Sequence, residues 1–405
     1  MTSPRAASPT GTNNIPSPQD NSKKRVLVVF GTRPEAIKLS PLIAALRAAP
    51  CQPTLETVVC VTAQHRQMLD QVLALFGIAP DYDLDLMQPA QTLTALTSRL
   101  LAGLEPVLRE VKPSLVVVQG DTTTTFCAAL AAFYAGIPVA HVEAGLRTFD
   151  ITAPFPEEMN RTITGRLASL HFAATSWAAE NLMREGVSPA AIQVTGNTGI
   201  DAILAIRDAL ERGARSSLSL PASEGRKLIV VTAHRRESFG EGFVRICQAI
   251  SALADREDIQ IVWPVHPNPN VQSTVNATIR GKANVLLLEP LDYLPFVDLM
   301  RRAYVLITDS GGVQEEGPSL GKPILVLRDK TERPEAVAAG TVKLVGTSRE
   351  AIFNETLRLL EDRAEYERMA RLHNPYGDGQ ASGRIVERIL SHLRSQSGSN
   401  RGGDR

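Results

Sequence analysis

The sequence predicts an α/β protein of two similar domains, each a parallel sheet with helices on both faces, meeting at a cleft. Three observations lead there. Short runs of apolar, β-branched residues alternate with amphipathic stretches along the chain, the pattern of a parallel sheet wrapped by helices. The runs fall into two sets of similar extent, divided near Val194-Thr195-Gly196-Asn197. In both sets charged and hydroxylated residues collect directly after the runs, where open α/β sheets bind ligands.

In the first set, Val26 to Phe30 reads as a strand, followed by Gly31-Thr32-Arg33-Pro34-Glu35 and an amphipathic helix through Leu46. Pro34 suits a first helical turn, so Arg33 stands at the mouth of the helix and Lys38 one turn later. Thr57 to Val61 (strand), Gln64 to Phe76 (helix) and Ser114 to Val118 (strand) follow, then Gln119-Gly120-Asp121 and four threonines opening an Ala-rich helix. Pro138 to Val142 is a further strand that delivers Glu143 at its end. In the second set the strands are Leu228 to Thr232, running into His234-Arg235-Arg236-Glu237, then Ile261 to Trp263, Val285 to Leu288, Val305 to Ile307 and Ile324 to Leu327.

Composition bounds the function. A chain of 405 residues suggests two or three domains, and 43 Lys plus Arg balance 43 Asp plus Glu. No global field recruits nucleic acid or an anionic membrane, so any anion site is local. The four cysteines, Cys51, Cys60, Cys127 and Cys247, lack metal-type spacing and read as free buried thiols of a reducing, cytoplasmic compartment; no metal is expected. Residues 1–24 lack the apolar core of a secretory signal and read as a disordered tail, as do residues 394–405. The most apolar stretch, Phe126 to Val142, is broken by Gly136, Pro138 and His141, so no membrane span is expected.

The richest stretch is Tyr304 to Glu316. A buried strand ends at Thr308-Asp309-Ser310, and Gly311 and Gly312 open a helix. Glycines leave the backbone amides approachable, the helix start adds positive potential, and Ser310 adds a hydroxyl: a phosphate seat. Glu316, one turn on, is placed to accept hydrogen bonds from ribose hydroxyls, and phosphate with ribose means a nucleotide. A Gly-Gly turn before an acidic surface helix is the competing reading. Other candidates also have plain alternatives. Asp121 is either a helix cap or a reactive carboxylate. Glu143, after a buried strand, has no structural duty and is the better catalytic candidate. Glu157 and Glu158 stand at a helix start, which favours carboxylates in any case. His234 is either a surface histidine or part of a cation cluster for a diphosphate. His266 and Lys330 are taken as structural.

Gly31-Thr32-Arg33-Pro34-Glu35, Gln119 to Thr125, His141-Val142-Glu143-Ala144-Gly145-Leu146-Arg147, Pro156-Glu157-Glu158, Gly196-Asn197, His234 to Ser238 and Asp309 to Gly312 occur in order. The series resembles the bacterial non-hydrolysing UDP-N-acetylglucosamine 2-epimerases over residues 25–390. The resemblance implies a glycosyltransferase-B-like fold: Rossmann-like domains over 25–195 and 196–375, the second binding UDP, and a helix over 376–393 crossing back to the first. It implies reversible interconversion of UDP-GlcNAc and UDP-ManNAc for cell-envelope polysaccharide synthesis, without cofactor or metal, by a homodimer. It assigns Asp121, Glu143 and Glu157 as acid/base residues and Arg33, His234 and Ser310-Gly311-Gly312 to the diphosphate. Glu316 would hold ribose, Phe296 and the backbone near Leu291 uracil, while Lys38 and Arg333 bind or support substrate. Some members bind a second UDP-GlcNAc as activator near the positions of Gln64, His65 and Gln67; Ala90 stands where certain members carry Arg, and Leu291 where some carry Gln.

The chemistry fits these residue types. The C2 hydrogen of the sugar is not beside a carbonyl, so it must be acidified first. Loss of UDP from C1 makes an oxocarbenium-like centre beside C2, and a carboxylate can then take the proton to give 2-acetamidoglucal. A glycosyltransferase of this architecture would not need three carboxylates from the first domain. A hydrolysing epimerase would release ManNAc and UDP, and a nucleotide-sugar sensor would have lost the carboxylates.

Overall fold

Each expected apolar run is a strand in the computed structural model, which describes residues 23–48, 51, 53–62, 66–86, 88, 91–221, 225–235 and 239–399. In the first half these are β1 (Lys24–Phe30), β2 (Leu55–Val61), β3 (Tyr82–Asp83), β4 (Leu115–Gln119), β5 (Val139–Ala144), β6 (Leu170–Ala173) and β7 (Ile192–Val194). Between and after them lie α1 (Arg33–Arg47), α2 (Arg66–Leu75), α3 (Leu93–Val111), α4 (Thr123–Tyr134), α5 (Glu157–Leu167), α6 (Ser176–Arg184) and α7 (Thr198–Glu211). The second half contains β8 (Lys227–Thr232), β9 (Ile259–Pro264), β10 (Val285–Leu288), β11 (Val305–Thr308), β12 (Ile324–Val326) and β13 (Val342–Leu344). Its helices are α8 (Glu241–Leu253), α9 (Pro269–Ile279), α10 (Tyr293–Arg302), α11 (Gly311–Glu316), α12 (Pro334–Ala339), α13 (Arg349–Glu361), α14 (Arg363–Ala370) and α15 (Ala381–Ser399).

Among the described residues the strands form two parallel sheets, ordered β3-β2-β1-β4-β5-β6-β7 and β10-β9-β8-β11-β12-β13. Both orders reverse direction once, between β1 and β4 and between β8 and β11, where Val26 pairs with Leu115 and Ile307 with Val231. A crevice opens at such a reversal, outside the carboxyl ends of the strands. Buried aliphatic and aromatic side chains on both faces, among them Phe30, Leu39, Leu42 and Trp263, fix the sheets against their helices. Truncating one such leucine to alanine costs about 2–5 kcal/mol.

Both expected tails differ at their inner ends. β1 begins at Lys24, because the Lys24 amide donates to Thr54 O at 3.0 Å and the residue pairs in register with Leu55. α15 begins at Ala381, five residues after the expected start, and runs on to Ser399 through the expected loose end. Its inner face, Ile385, Ile389 and Leu393, is buried, and a helix so anchored carries its polar last turns with it. α15 packs against α1 and α7, and α7 packs against α1 and α10, so both passages between the halves lie close together. Among the described residues no helix is long and apolar enough to cross a membrane.

Candidate active site

Some of the expected residues of the two halves meet: Glu143 and Arg333 line one pocket, and Lys38, bonded to Glu143, also feels Glu315. After β1, Thr32 caps α1 and Glu35 returns the bond: Glu35 Oε2 accepts from the Thr32 and Gly31 amides at 2.8 and 3.0 Å. This capping box fixes the mouth of α1. Arg33 there is half-buried and, among the described residues, makes no hydrogen bond or ion pair, yet its charge is felt at Glu316 and Tyr293 of the opposite half. One turn later Lys38 Nζ stands 2.6 Å from both oxygens of Glu143. Burial alone would lower the Lys38 ammonium, but the Glu143 and Glu315 carboxylates outweigh it and hold the group above its ordinary value.

Glu143 is where the backbone departs from regularity. It is the extra residue of a bulge, with Val142 opposite Phe172 and Ala144 opposite Ala173, and its φ is +61°. A left-handed residue other than glycine costs about 1–2 kcal/mol, and bulges re-aim side chains. The re-aimed carboxylate also accepts from Gln119 Nε2 of the neighbouring strand.

The structure resolves two alternatives left open by the sequence. Thr122, not Asp121, caps α4, accepting from the Thr125 amide at 3.1 Å. Asp121 is thus free of that duty and pairs with Arg161 Nη1 at 3.0 Å. Burial raises the Asp121 carboxyl and Glu157 adds to the rise, while Arg161 and Lys38 oppose it. Glu158 is structural: buried, it accepts from the Thr148 and Phe149 amides and from Arg161 Nε at 2.6 Å. Glu157, beside it, makes no hydrogen bond or ion pair among the described residues and faces Asp121 electrostatically.

Across the cleft, Asp309 is fully buried after β11 and its Oδ2 accepts from the His234 and Arg235 amides, both at 2.7 Å. His234 Nδ1 is 3.5 Å from Asp309 Oδ1, and its ring stacks on His266 at 5.4 Å between centroids. His266, taken as structural from the sequence, is therefore part of this wall. Burial lowers the His234 imidazole, and the nearby His266 and Arg235 add to that against Asp309. Arg236, Glu237 and Ser238 lie outside the described residues.

Gly311 needs its missing side chain for a reason the sequence did not show. A Cβ there would lie 2.6 Å from Arg333 Cζ: the glycine makes room for a guanidinium. Arg333 is held by Glu315 at 2.5 Å and Glu332 at 2.6 Å. Among the described residues nothing lies nearer than 3.8 Å to a Cβ on Gly312, and Ser310 makes no capping bond with its hydroxyl. Glu316 ends α11. Its carboxyl is pushed up to about 8 by burial and by Glu315 and Glu143, with Lys38 and Arg33 opposing. Leu291, just before α10, and Phe296, in its first turn, are partly buried against the core. Tyr293 between them is buried, and its hydroxyl has no partner among the described residues.

Sequence reasoning passed over Gln119, Glu315, Tyr293 and Asn197, which touch or face these groups. Gln119 and Asn197 stood in the quoted motifs; nothing in the pattern separates Glu315 from Glu316 in Gln-Glu-Glu. Gln64, His65 and Ala90 lie outside the described residues; Gln67 falls in the first turn of α2, and its side chain is likewise outside them. Cys51, Cys60, Cys127 and Cys247 are free and buried.

The chain and its fold are matched among known proteins. The family model described as UDP-N-acetylglucosamine 2-epimerase matches residues 47–390. The UDP-N-acetylglucosamine 2-epimerase of Escherichia coli strain K12 is 57% identical over 374 residues, 91% of this chain and 99% of that protein. The crystal structure of the Neisseria meningitidis UDP-GlcNAc 2-epimerase bound to UDP-GlcNAc superposes with a TM-score of 0.81 at 48% identity, covering 91% of this chain and 100% of that one. The kitacinnamycin glycotransferase, at 14% identity and a TM-score of 0.60, shares the fold alone, the glycosyltransferase-B-like arrangement of two parallel sheets. The chain belongs to the UDP-N-acetylglucosamine 2-epimerase family and is an isomerase.

Proposed function

We propose that the protein interconverts UDP-GlcNAc and UDP-ManNAc by eliminating UDP to 2-acetamidoglucal and adding it back. The observation that carries this is the ion pair of Lys38 with Glu143 in the first half, close enough to Glu315, Glu316 and Arg333 of the second half for their charges to act on one another. The UDP-GlcNAc bound in the Neisseria relative supports the same ligand here. The diphosphate lies against Arg33, His234, Ser310 and Gly312, with Arg333 behind the turn. Glu316 takes the ribose, and Phe296 with the backbone of Leu291 takes uracil.

In the reaction the C1–O bond breaks and its electron pair leaves with UDP, whose charge the cations and amides stabilise by several kcal/mol in a dry cleft. A carboxylate removes the C2 proton, and the C–H electrons form the C1–C2 double bond of the glucal. A second carboxyl returns a proton to C2 from the opposite face, and a diphosphate oxygen re-forms the bond to C1. Asp121, raised by burial, suits the group that hands over a proton, and Glu143, paired with Lys38, the group that takes one. Glu157 beside Asp121 completes the set, and the roles exchange in reverse.

Incubation with UDP-GlcNAc and separation of the products tests this. A second UDP-N-acetylhexosamine at equilibrium is the expected result; free ManNAc and UDP would mean hydrolysis instead. The working unit is a homodimer joined through α3 and α4. A groove of about 650 Å³ there is walled by Leu101, Leu108, Ala131, Tyr134 and Ile137, with Phe133 and Tyr134 exposed beside it. Tyr134→Glu is expected to yield monomers in sedimentation velocity; an unchanged dimer would place the interface elsewhere. The product serves cell-envelope polysaccharide synthesis in the cytoplasm.

A further inference from the structure

Glu315 is a buried carboxylate with no part in the reaction above. Its Oε1 accepts from Arg333 Nε at 2.5 Å, its Oε2 from Asn197 Nδ2 at 2.7 Å, and its backbone carbonyl from Asn374 Nδ2 at 2.7 Å. Asn197 and Asn374 lie on the two passages of chain between the sheets, and the passages touch. The Asn197 amide donates to Tyr376 O at 2.7 Å, and a Cβ on Gly196 (φ +88°) would stand 3.3 Å from Gly377 Cα. One side chain therefore joins the crossing point to the guanidinium that rests on Gly311. The Nε bond matters most, because Glu332 meets only Nη1 and would leave the guanidinium plane free to turn.

We propose that Glu315 is a positioning residue, which holds the Arg333 guanidinium flat on Gly311 and ties that placement to the crossing of the two passages, so that the diphosphate side of the site is aligned when the sheets are in register. The proposal rests on Arg333 and Gly311 lying at the UDP site.

The test compares wild type, Glu315→Gln and the exchange Glu315→Gln/Asn197→Asp in the full chain, by UDP titration calorimetry and thermal unfolding. In the exchange, the carboxylate introduced at position 197 still caps α7 and accepts from the side-chain amide introduced at position 315. The crossing contact is thereby restored, while Arg333 Nε is left with a neutral acceptor. Glu315→Gln is expected to lower both Tm and UDP affinity; the exchange is expected to recover Tm and remain roughly tenfold weaker for UDP. If UDP affinity recovers together with Tm, or if Glu315→Gln binds UDP as wild type does, the role is merely structural and the proposal is overturned. Should Glu315→Gln fail to fold, the exchange alone decides against wild type. A wild type that binds UDP but does not epimerise would remove the proposed reaction and leave this inference standing on the titrations; a wild type that binds no UDP would remove both.

Discussion

At the carboxyl edge of the first sheet the side chains are the carboxylates Asp121, Glu143 and Glu157 with the cations Arg33 and Lys38; at the same edge of the second they are His234, Arg333 and an open glycine turn around the buried Asp309. The strand orders reverse at equivalent places, so topology does not make the difference. Backbone detail does. On the first side a bulge and a left-handed φ of +61° present Glu143 to the cleft. On the second, the carboxylates Asp309 and Glu315 turn inward to hold backbone amides and a guanidinium. On the proposed function, one repeated architecture thus offers proton-transfer groups on one wall and, Arg33 apart, leaving-group stabilisation on the other.

The sharpest way to break that division is Glu143→Gln. Turnover is expected to fall about 10²–10⁴-fold while UDP affinity in calorimetry stays within a few-fold of wild type. A matching loss in both would mean that the two walls are not separate in function. Gly311→Val acts on the opposite wall: its side chain must displace the Arg333 guanidinium. Because hydrogen bonds to charged groups contribute about 1.5–3 kcal/mol, UDP affinity is expected to drop roughly 10- to 100-fold, and full affinity would place the diphosphate elsewhere.

A smaller effect follows from Glu316, whose carboxyl is raised to about 8 in the free protein. The folded state holds this proton more tightly than the unfolded chain, so the contribution to stability is complete below the ordinary carboxyl range and is lost as pH rises through about 8. On the proposed function Glu316 meets the ribose hydroxyls, which bond more strongly to the ionised acceptor, so UDP binding is expected to expel the proton. Affinity should therefore rise between pH 7 and 9, by less than about tenfold per unit, and Glu316→Gln should flatten the profile. A pH-independent wild type would separate Glu316 from the ribose. Smallest is Thr122→Ala, expected to cost about 1 kcal/mol in urea unfolding with turnover nearly intact. A large loss of turnover would show that Asp121 is drawn into capping when the threonine is gone.

Much of this was legible from residue order, and the reasons for the rest are local. The unbroken apolar runs, such as Val26 to Phe30 and Val305 to Ile307, became strands because successive side chains are buried on both faces. β3, β6, β7 and β13 were not foreseen, because unlike the equally short β11 and β12 they are interrupted by Asp83, His171, Gln193 and Lys343. Arg33, Glu143 and Gly311 stand at or just after strand ends, and Lys38 one turn into α1, where residue order placed them. The reason for Gly311 was not legible, since a guanidinium from a residue 22 positions later fills its missing side chain. Likewise Thr122 rather than Asp121 caps α4 because its hydroxyl bridges to Glu35 Oε1 at 2.7 Å, a partner 87 residues away. Contacts of that span leave no trace in local pattern.

The most direct measurement is NMR of the purified protein with UDP-GlcNAc in D2O, following C2 and the nucleotide together. UDP-ManNAc carrying deuterium at C2, with no accumulation of free UDP, is the expected result. Protonated C2 in the product, or ManNAc released with stoichiometric UDP, would contradict elimination and re-addition within one cleft.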